Sequence, residues 1–306
     1  YLLVVGIRES ARFNAVMVGV KLAAVLFFIG AGAVYVRPDN WSPFAPYGWA
    51  GVMGAAGVVF FAYIGFDAVS TTAEEAKNPQ RDLPIGIIAS LVICTTLYLA
   101  VAAVLSGIVP VIDYKSDQAF LNAPVAFALS LIGQDWAAYL VSAGAVAGIT
   151  SVLLVMLMSQ PRIFFAMSRD GLLPRAMSRT SHRFHTPVKL QVGTGIVVAA
   201  IAGLSQVELL EEMINIGTLS AFVLVSFGVP ILRRTRPDLP RGFRVPGSPV
   251  VPIIAGVACL WLMTNLTTLT WIRFGVWLAV GTVIYAVYSY RNSVLGKGQV
   301  AETVEV

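Results

Sequence analysis

"AGVMGAAGVVFFAYIGFDAVSTTAEEAKNPQRDLP", residues 50–84, begins as an apolar, small-residue helix and turns polar beyond Gly65 while still at membrane depth. A continuous lipid-facing helix would not make that change, because each backbone N–H and C=O in hydrocarbon must find its partner within the protein. Gly65 supplies backbone freedom, and Asp67, Ser70, Thr71 and Thr72 supply side chains able to meet freed backbone groups. The stretch reads either as a helix that unwinds in mid-membrane or as a kinked helix whose Asp67 caps the half that follows. Unwound membrane helices build substrate and ion sites in secondary transporters, with bared carbonyls facing a cation and helix ends facing an anion.

The membrane setting follows from the whole chain. Of 306 residues, 57% are hydrophobic and only 12% charged, against about a quarter charged in soluble domains. Apolar runs recur at the length of about 20 helical residues that a hydrocarbon core demands. Eight crossings are expected, near 15–36, 50–72, 84–109, 136–160, 188–205, 213–232, 249–270 and 274–290. Runs such as "SLVICTTLYLAVAAVLSGIV" (90–109) lack the two-residue alternation of a membrane β-barrel. The fold class is therefore all-α integral membrane, one transmembrane domain over 1–306 with residues 292–306 as its tail. The opening "YLLVVGI" is too short to span and reads as the end of a further helix that starts upstream of residue 1.

Basic residues fix the expected orientation, since loops facing the cytoplasm are enriched in them. With eight crossings, one side holds only Arg37, Lys115 and Arg273; apart from Lys21, every other one of the 21 basic residues falls on the opposite side. That places the C-terminus in the cytoplasm of a multi-pass plasma-membrane protein. The net charge of +5 is a consequence of this topology, so no nucleic acid partner is expected. Cys94 and Cys259 lie inside spans and read as small packing residues. His182 and His185 share a basic loop with Arg183 and Lys189, where no metal-ligand set can be assembled. No metal, cofactor or catalytic residue is expected. An enzyme would need paired acids or a nucleophile with its base, and a channel would need repeated filter loops or rings of like residues.

Two ionisable residues remain within the membrane, and such residues are functional candidates by default. One is Asp67. The other is Lys21 in "VMVGVKLAAVLF" (16–27), the seventh residue of its span and so about 10 Å above the basic end. Its four-carbon stem would let the ammonium snorkel to the headgroups. Facing the bundle interior instead, it would be desolvated, which disfavours the charged form and allows proton exchange near neutral pH.

The stretch "FFAYIGFDAVSTTAEEAKNPQRDLPIGI" resembles the sixth helix and following loop of amino acid permeases of the amino acid, polyamine and organocation family, close to the cationic amino acid transporters and their bacterial homologues. "QPRIFFAMSRDGLLP" (160–174) and "RPDLPRGFRVPGSPVVP" (236–252) are similar to the segments after that family's eighth and tenth helices. The resemblance covers essentially the whole chain in order, as the end of family helix 4 followed by helices 5 to 12. It implies a LeuT-like inverted-repeat fold, two five-helix repeats and two further helices, with substrate held between unwound parts of family helices 1 and 6.

Carried over by residue, the unwound part of family helix 6 is Phe61, Ala62, Tyr63 and Ile64, followed by Gly65. The resemblance implies that carbonyls of Phe61, Ala62 and Ile64 receive a substrate α-ammonium and that the Phe61 ring gates access. Asp67 and Ser70 would support the break or a gate. Lys21 falls where proton-coupled bacterial members carry a lysine in place of a sodium ion, which implies a proton-coupling role. Gly148, Thr150 and Ser151 in "AGITSVLLVM" fall in family helix 8, where they would line the side-chain pocket, stand near Lys21, or serve close helix packing. "EEAKNPQRDLP" reads either as inner-gate ion pairs of Glu74, Glu75, Lys77 and Arg81 or as a solvated loop, with Pro79 and Pro84 flanking the next helix.

The expected function is secondary active transport of amino acids by proton symport, with substrate exchange on the same scaffold as the alternative; protons, an amino acid and the lipid bilayer are the partners. Helices 1 to 3 of the family pattern have no counterpart here, so the gene product is expected to be longer and this polypeptide alone to be inactive. Cationic and neutral amino acids both remain open as substrate.

Overall fold

The computed structural model describes residues 7–66, 68–70, 76–174, 188–205, 207–239, 241–294 and 296–297. Among these the chain is helical, with no strand. The principal helices are α1 (Ile7–Ala33), α2 (Gly48–Val59), α3 (Pro79–Ile108), α4 (Val111–Tyr114), α5 (Gln118–Asn122), α6 (Pro124–Leu131), α7 (Asp135–Arg169), α8 (Val188–Leu204), α9 (Val207–Thr235), α10 (Val250–Thr264) and α11 (Thr268–Ile284). A π-helical turn, Tyr285–Ser289, and a last helical turn, Tyr290–Asn292, follow α11.

Each of the eight expected crossings coincides with an apolar helix. Five of these helices, α1, α3, α7, α9 and α11 with its last turns, are long and apolar enough to span, as is the run Gly48–Ser70 that continues α2, whereas α8 and α10 are shorter, at 17 and 15 residues. Several boundaries differ from expectation: α1 begins at Ile7, α3 at Pro79 and α7 runs on to Arg169, and three further differences concern α9, α10 and α11. Helix α9 starts at Val207, drawing Glu211 and Glu212 into a helix where a loop was expected. Helix α10 ends at Thr264, because Thr267 adopts extended backbone and caps α11, accepting from the Thr270 N–H. Helix α11 accordingly begins six residues ahead of the expected crossing at 274. The chain forms two compact units, residues 1–49 with 88–158 and residues 50–87 with 159–306.

In the first unit, α1, the later turns of α3, the short helices α4–α6 and most of α7 enclose Phe28, Val104, Ile108, Phe120, Leu129 and Val141. The last carbonyls of α3 have no partner inside the helix. The segment after α1 meets them: Arg37 N–H donates to Gly107 O at 2.9 Å and Asn40 Nδ2 to the same oxygen at 2.8 Å, while Trp41 Nε1 reaches Ala103 O, one turn earlier, at 3.3 Å. Asp117 caps α5, accepting from the N–H groups of Ala119 and Phe120.

The second unit has its core at Ile216, Leu219 and Met263, with Phe60, Leu262 and Phe274 packed around them. Two of the quoted motifs act here as joints. In "SRDGLLP", Gly171 sits at φ +78°, Ser289 Oγ donates to Leu172 O at 2.8 Å and Val294 N–H to Asp170 O at 3.1 Å, so the turn after α7 docks on the chain beyond α11. In "RPDLPRGF", the Arg241 guanidinium donates to the carbonyls of Leu232, Arg236, Pro237 and Leu239, capping the C-terminus of α9. The following Gly242 N–H donates to Gln80 Oε1 at 3.0 Å, and a Cβ at 242 would lie 2.6 Å from Gln80 Cβ. Two motifs 162 residues apart in sequence thus meet in space.

Candidate functional site

The candidate residues fall on the interrupted helix α2 in the second unit and on α1 and α7 in the first. In the second unit, α2 gives way after Val59 to a single 3-10 turn, Phe60–Tyr63. Ile64 is then extended, at φ −63° and ψ 133°, and Gly65 takes φ +124°, a conformation that side chains with a Cβ rarely adopt. The apolar run is broken where its sequence turns polar, as the unwound reading requires. Ile64 N–H donates to Phe61 O at 3.2 Å, leaving that oxygen its second lone pair, and the Ile64 carbonyl accepts no hydrogen bond among the described residues. The chain re-forms a turn at Ala68, whose N–H donates to Gly65 O at 3.1 Å.

The Phe61 ring and Ala62 are exposed, while Tyr63, Ile64 and Gly65 are half-buried. Ser70 is described and exposed. Asp67 lies outside the described residues, as do Thr71, Thr72, Glu74, Glu75, His182 and His185. One contributor went unread in the sequence. Phe222 of α9 packs on Phe60, with ring centroids 6.0 Å apart, and on Phe66 at 5.3 Å, so one ring braces both ends of the break. Nothing in "SAFVLVSF" (220–227) separates that phenylalanine from its lipid-facing neighbours.

In the first unit, α1 and α7 meet along a seam of small residues. Gly148 faces Lys21, whose Cδ would lie 3.6 Å from a Cβ placed there, and Gly144 faces Ala24 so closely that a Cβ would land on the Ala24 methyl. Ser151 is buried and donates to Asn14 Oδ1 at 2.9 Å. Thr150 turns away, its hydroxyl donating to Val146 O of its own helix at 2.8 Å. Of the three α7 candidates, Gly148 and Ser151 therefore stand with α1 and Thr150 does not. Asn14 is the second residue missed; its spacing of seven from Lys21, two helical turns, was the available signal. Lys21 is half-buried. Among the described residues no group of acidic, histidine and cysteine side chains is gathered as a metal site.

The sequence profile of the amino acid permease family matches residues 2–287. The chain belongs to the amino acid permease family. The permease is 49% identical over 292 residues to the methylthioribose transporter of Bacillus subtilis (strain 168), an overlap of 95% of this chain and 62% of that protein. It is also 49% identical over 297 residues to the branched-chain amino acid permease BcaP of the same organism, covering 97% of this chain and 63% of the relative. With the vacuolar cationic amino acid transporter 4 of Arabidopsis thaliana the identity is 41% over 243 residues, 78% of this chain and 40% of the relative. The chain thus spans a little over three-fifths of the two bacterial relatives. These relatives are named transporters and permeases, not enzymes, and the permease shares the LeuT-like, multi-pass helical fold of its family.

Proposed function

We propose that the permease is a secondary transporter of the plasma membrane that takes up amino acids by proton symport through alternating access, with its C-terminus in the cytoplasm. The observation that carries this reading is the break at Phe60–Gly65. Hydrogen-bond capacity is left on the Phe61 and Ile64 carbonyls in the middle of an apolar run, a costly arrangement in hydrocarbon unless a ligand or water meets it. Carbonyls of Phe61, Ala62 and Ile64 would accept from the substrate's α-ammonium, and Phe61 would gate entry.

Lys21 is the proposed coupling residue. Its stem passes over Gly148 on the face of α1 that meets α7, where a Cβ at 148 would stand at ordinary contact distance from it. Gaining and losing one proton there would couple transport to the proton gradient, and the Asn14–Ser151 pair two turns away would hold the lysine's helix in register. Asp67 and Ser70 are proposed to support the break. Exchange of internal for external substrate on the same scaffold is the second reading.

Full-length protein in proteoliposomes tests both readings. Symport predicts substrate accumulation when the outside is acidified, with no substrate inside; uptake that requires internal substrate and ignores the pH gradient would establish exchange. The substrate panel should span branched-chain and cationic amino acids and methylthioribose, the classes named in the three relatives. Methylthioribose has no α-ammonium, so its uptake in preference to amino acids would overturn the ammonium reading of the break.

A further inference from the structure

Arg37 is one of only three basic residues on the basic-poor face of the protein, and it stands at the rim of a cavity of about 520 Å³ in the first unit. Tyr35, Asn40 and Tyr114 line that cavity with it. Among the described residues no carboxylate lies within ion-pair distance of Arg37. Asn40 spends its amide N–H groups on Gly107 and Ile108 carbonyls. Tyr35 accepts from Gln134 Nε2 at 3.3 Å, which leaves its own O–H proton to donate. The lining thus offers an unpaired guanidinium and a hydroxyl donor to one cavity, a donor set suited to a phosphate or carboxylate.

A second hollow of about 260 Å³ adjoins it, and the two share Val34, Tyr35 and Ile132. This one is walled by Phe27, Ala31, Leu129 and Trp136 and follows α1 back toward the bilayer centre. From Ala33, the last residue of α1, to Phe27 is six residues, about 9 Å of depth. Trp136 packs on Phe27 with ring centroids 5.6 Å apart, and its Nε1 donates to Gln134 Oε1 at 2.9 Å, so the indole stands where its apolar face meets the groove and its N–H the polar rim.

We propose that this pair of hollows is a phospholipid site, with the phosphate on Arg37 and Tyr35 and one acyl chain lying in the groove between α1 and the start of α7. The order of chemistry along α1 selects the occupant. Donors lie at headgroup level and apolar walls begin directly below, whereas a free phosphate or a small carboxylate would have no use for the groove. The site belongs wholly to the first unit and is independent of how the break in α2 is used.

Native mass spectrometry of the full-length protein, stripped of lipid and titrated with dioleoyl phosphatidylglycerol, tests this. One tightly held lipid is expected. Its retention should fall about tenfold in Arg37→Gln, the order for loss of a charge-assisted hydrogen bond. Ala31→Trp, which fills the groove, should lower it as well. Arg37 is exposed, so its substitution leaves the core intact and keeps the test valid even if Ala31→Trp misfolds. Dioleoylglycerol, which lacks the phosphate, should not be retained, and millimolar inorganic phosphate should not displace the lipid. Equal retention by wild type and Arg37→Gln, equal binding of dioleoylglycerol, or displacement by inorganic phosphate would each overturn the proposal.

Discussion

Ser151 and Asn14, 137 positions apart, share a hydrogen bond of 2.9 Å that ties α7 to α1. The contacts Asn14 with Ser151, Lys21 with Gly148 and Ala24 with Gly144 rise along α1 as they descend along α7, so the two helices run antiparallel here. The glycines and the serine recur at spacings of four and three, which places them on one face of α7.

Removing either partner of that hydrogen bond should weaken the seam. We expect Asn14→Ala or Ser151→Ala to cost about 0.6 kcal/mol, and at most about 2, the range for interhelical hydrogen bonds in membranes. Thermal unfolding of the two single variants and the double variant in detergent measures the coupling. A double variant whose loss equals the sum of the singles would show that the bond contributes nothing.

The two seam glycines should respond differently to the same substitution. At 144 a Cβ would land on Ala24, so Gly144→Ala forces the helices apart and should destabilise by about 1–3 kcal/mol. At 148 it meets Lys21 at 3.6 and 3.7 Å, ordinary contact, so Gly148→Ala should fold as wild type. A comparison of unfolding temperatures checks the order.

Lys21→Ala in the full-length protein should abolish accumulation driven by a pH gradient while leaving substrate counterflow across the membrane. Proteoliposome uptake with and without the gradient provides the reading. Undiminished gradient-driven accumulation would remove Lys21 from the coupling step.

At Gly65, φ is +124°, so Gly65→Ala imposes backbone strain of about 1–3 kcal/mol on the break. Transport should fall sharply while expression holds. Phe222→Ala, which withdraws the ring bracing Phe60 and Phe66, should also lower uptake, as measured by initial rates at saturating substrate.

Gly171→Ala should fail at the level of folding. Its φ is +78°, and a Cβ would land on the Asn292 carbonyl, so the turn after α7 could no longer seat on the chain end. The yield of monodisperse protein on gel filtration is the measurement, with Gly193→Ala, where nothing lies within 4 Å, as the control.

Much of this was legible without coordinates. Apolar length and the near absence of charge fix the membrane helices, because hydrocarbon tolerates so few alternatives. The change from apolar to polar around Gly65 located the break to within a few residues, since a residue able to take positive φ and a cluster of short polar side chains are what an interrupted helix needs. Boundaries read less well. Glu211 and Glu212 look like loop residues by charge, yet they continue α9, and Glu212 accepts there from the hydroxyls of Thr267 and Thr270 at the start of α11. A charge that finds a partner on another helix leaves no mark in its own neighbourhood of the chain.

The sequence by itself determined the class, the family motifs, the place where the helix is interrupted and the lysine within a span, all of which are properties of short stretches or of composition. Tertiary structure decided which partners those stretches have: Asn14 for Ser151, Phe222 for the break, Gln80 for Gly242, and the chain end for Gly171. In each pair the residues are far apart in sequence, and they are selected at the point of contact, by a hydrogen bond for Asn14–Ser151 and Gln80–Gly242 and by shape for Phe222 and Gly171. Hydropathy cannot register that choice, because a residue against a helix and a residue against lipid are apolar for the same reason.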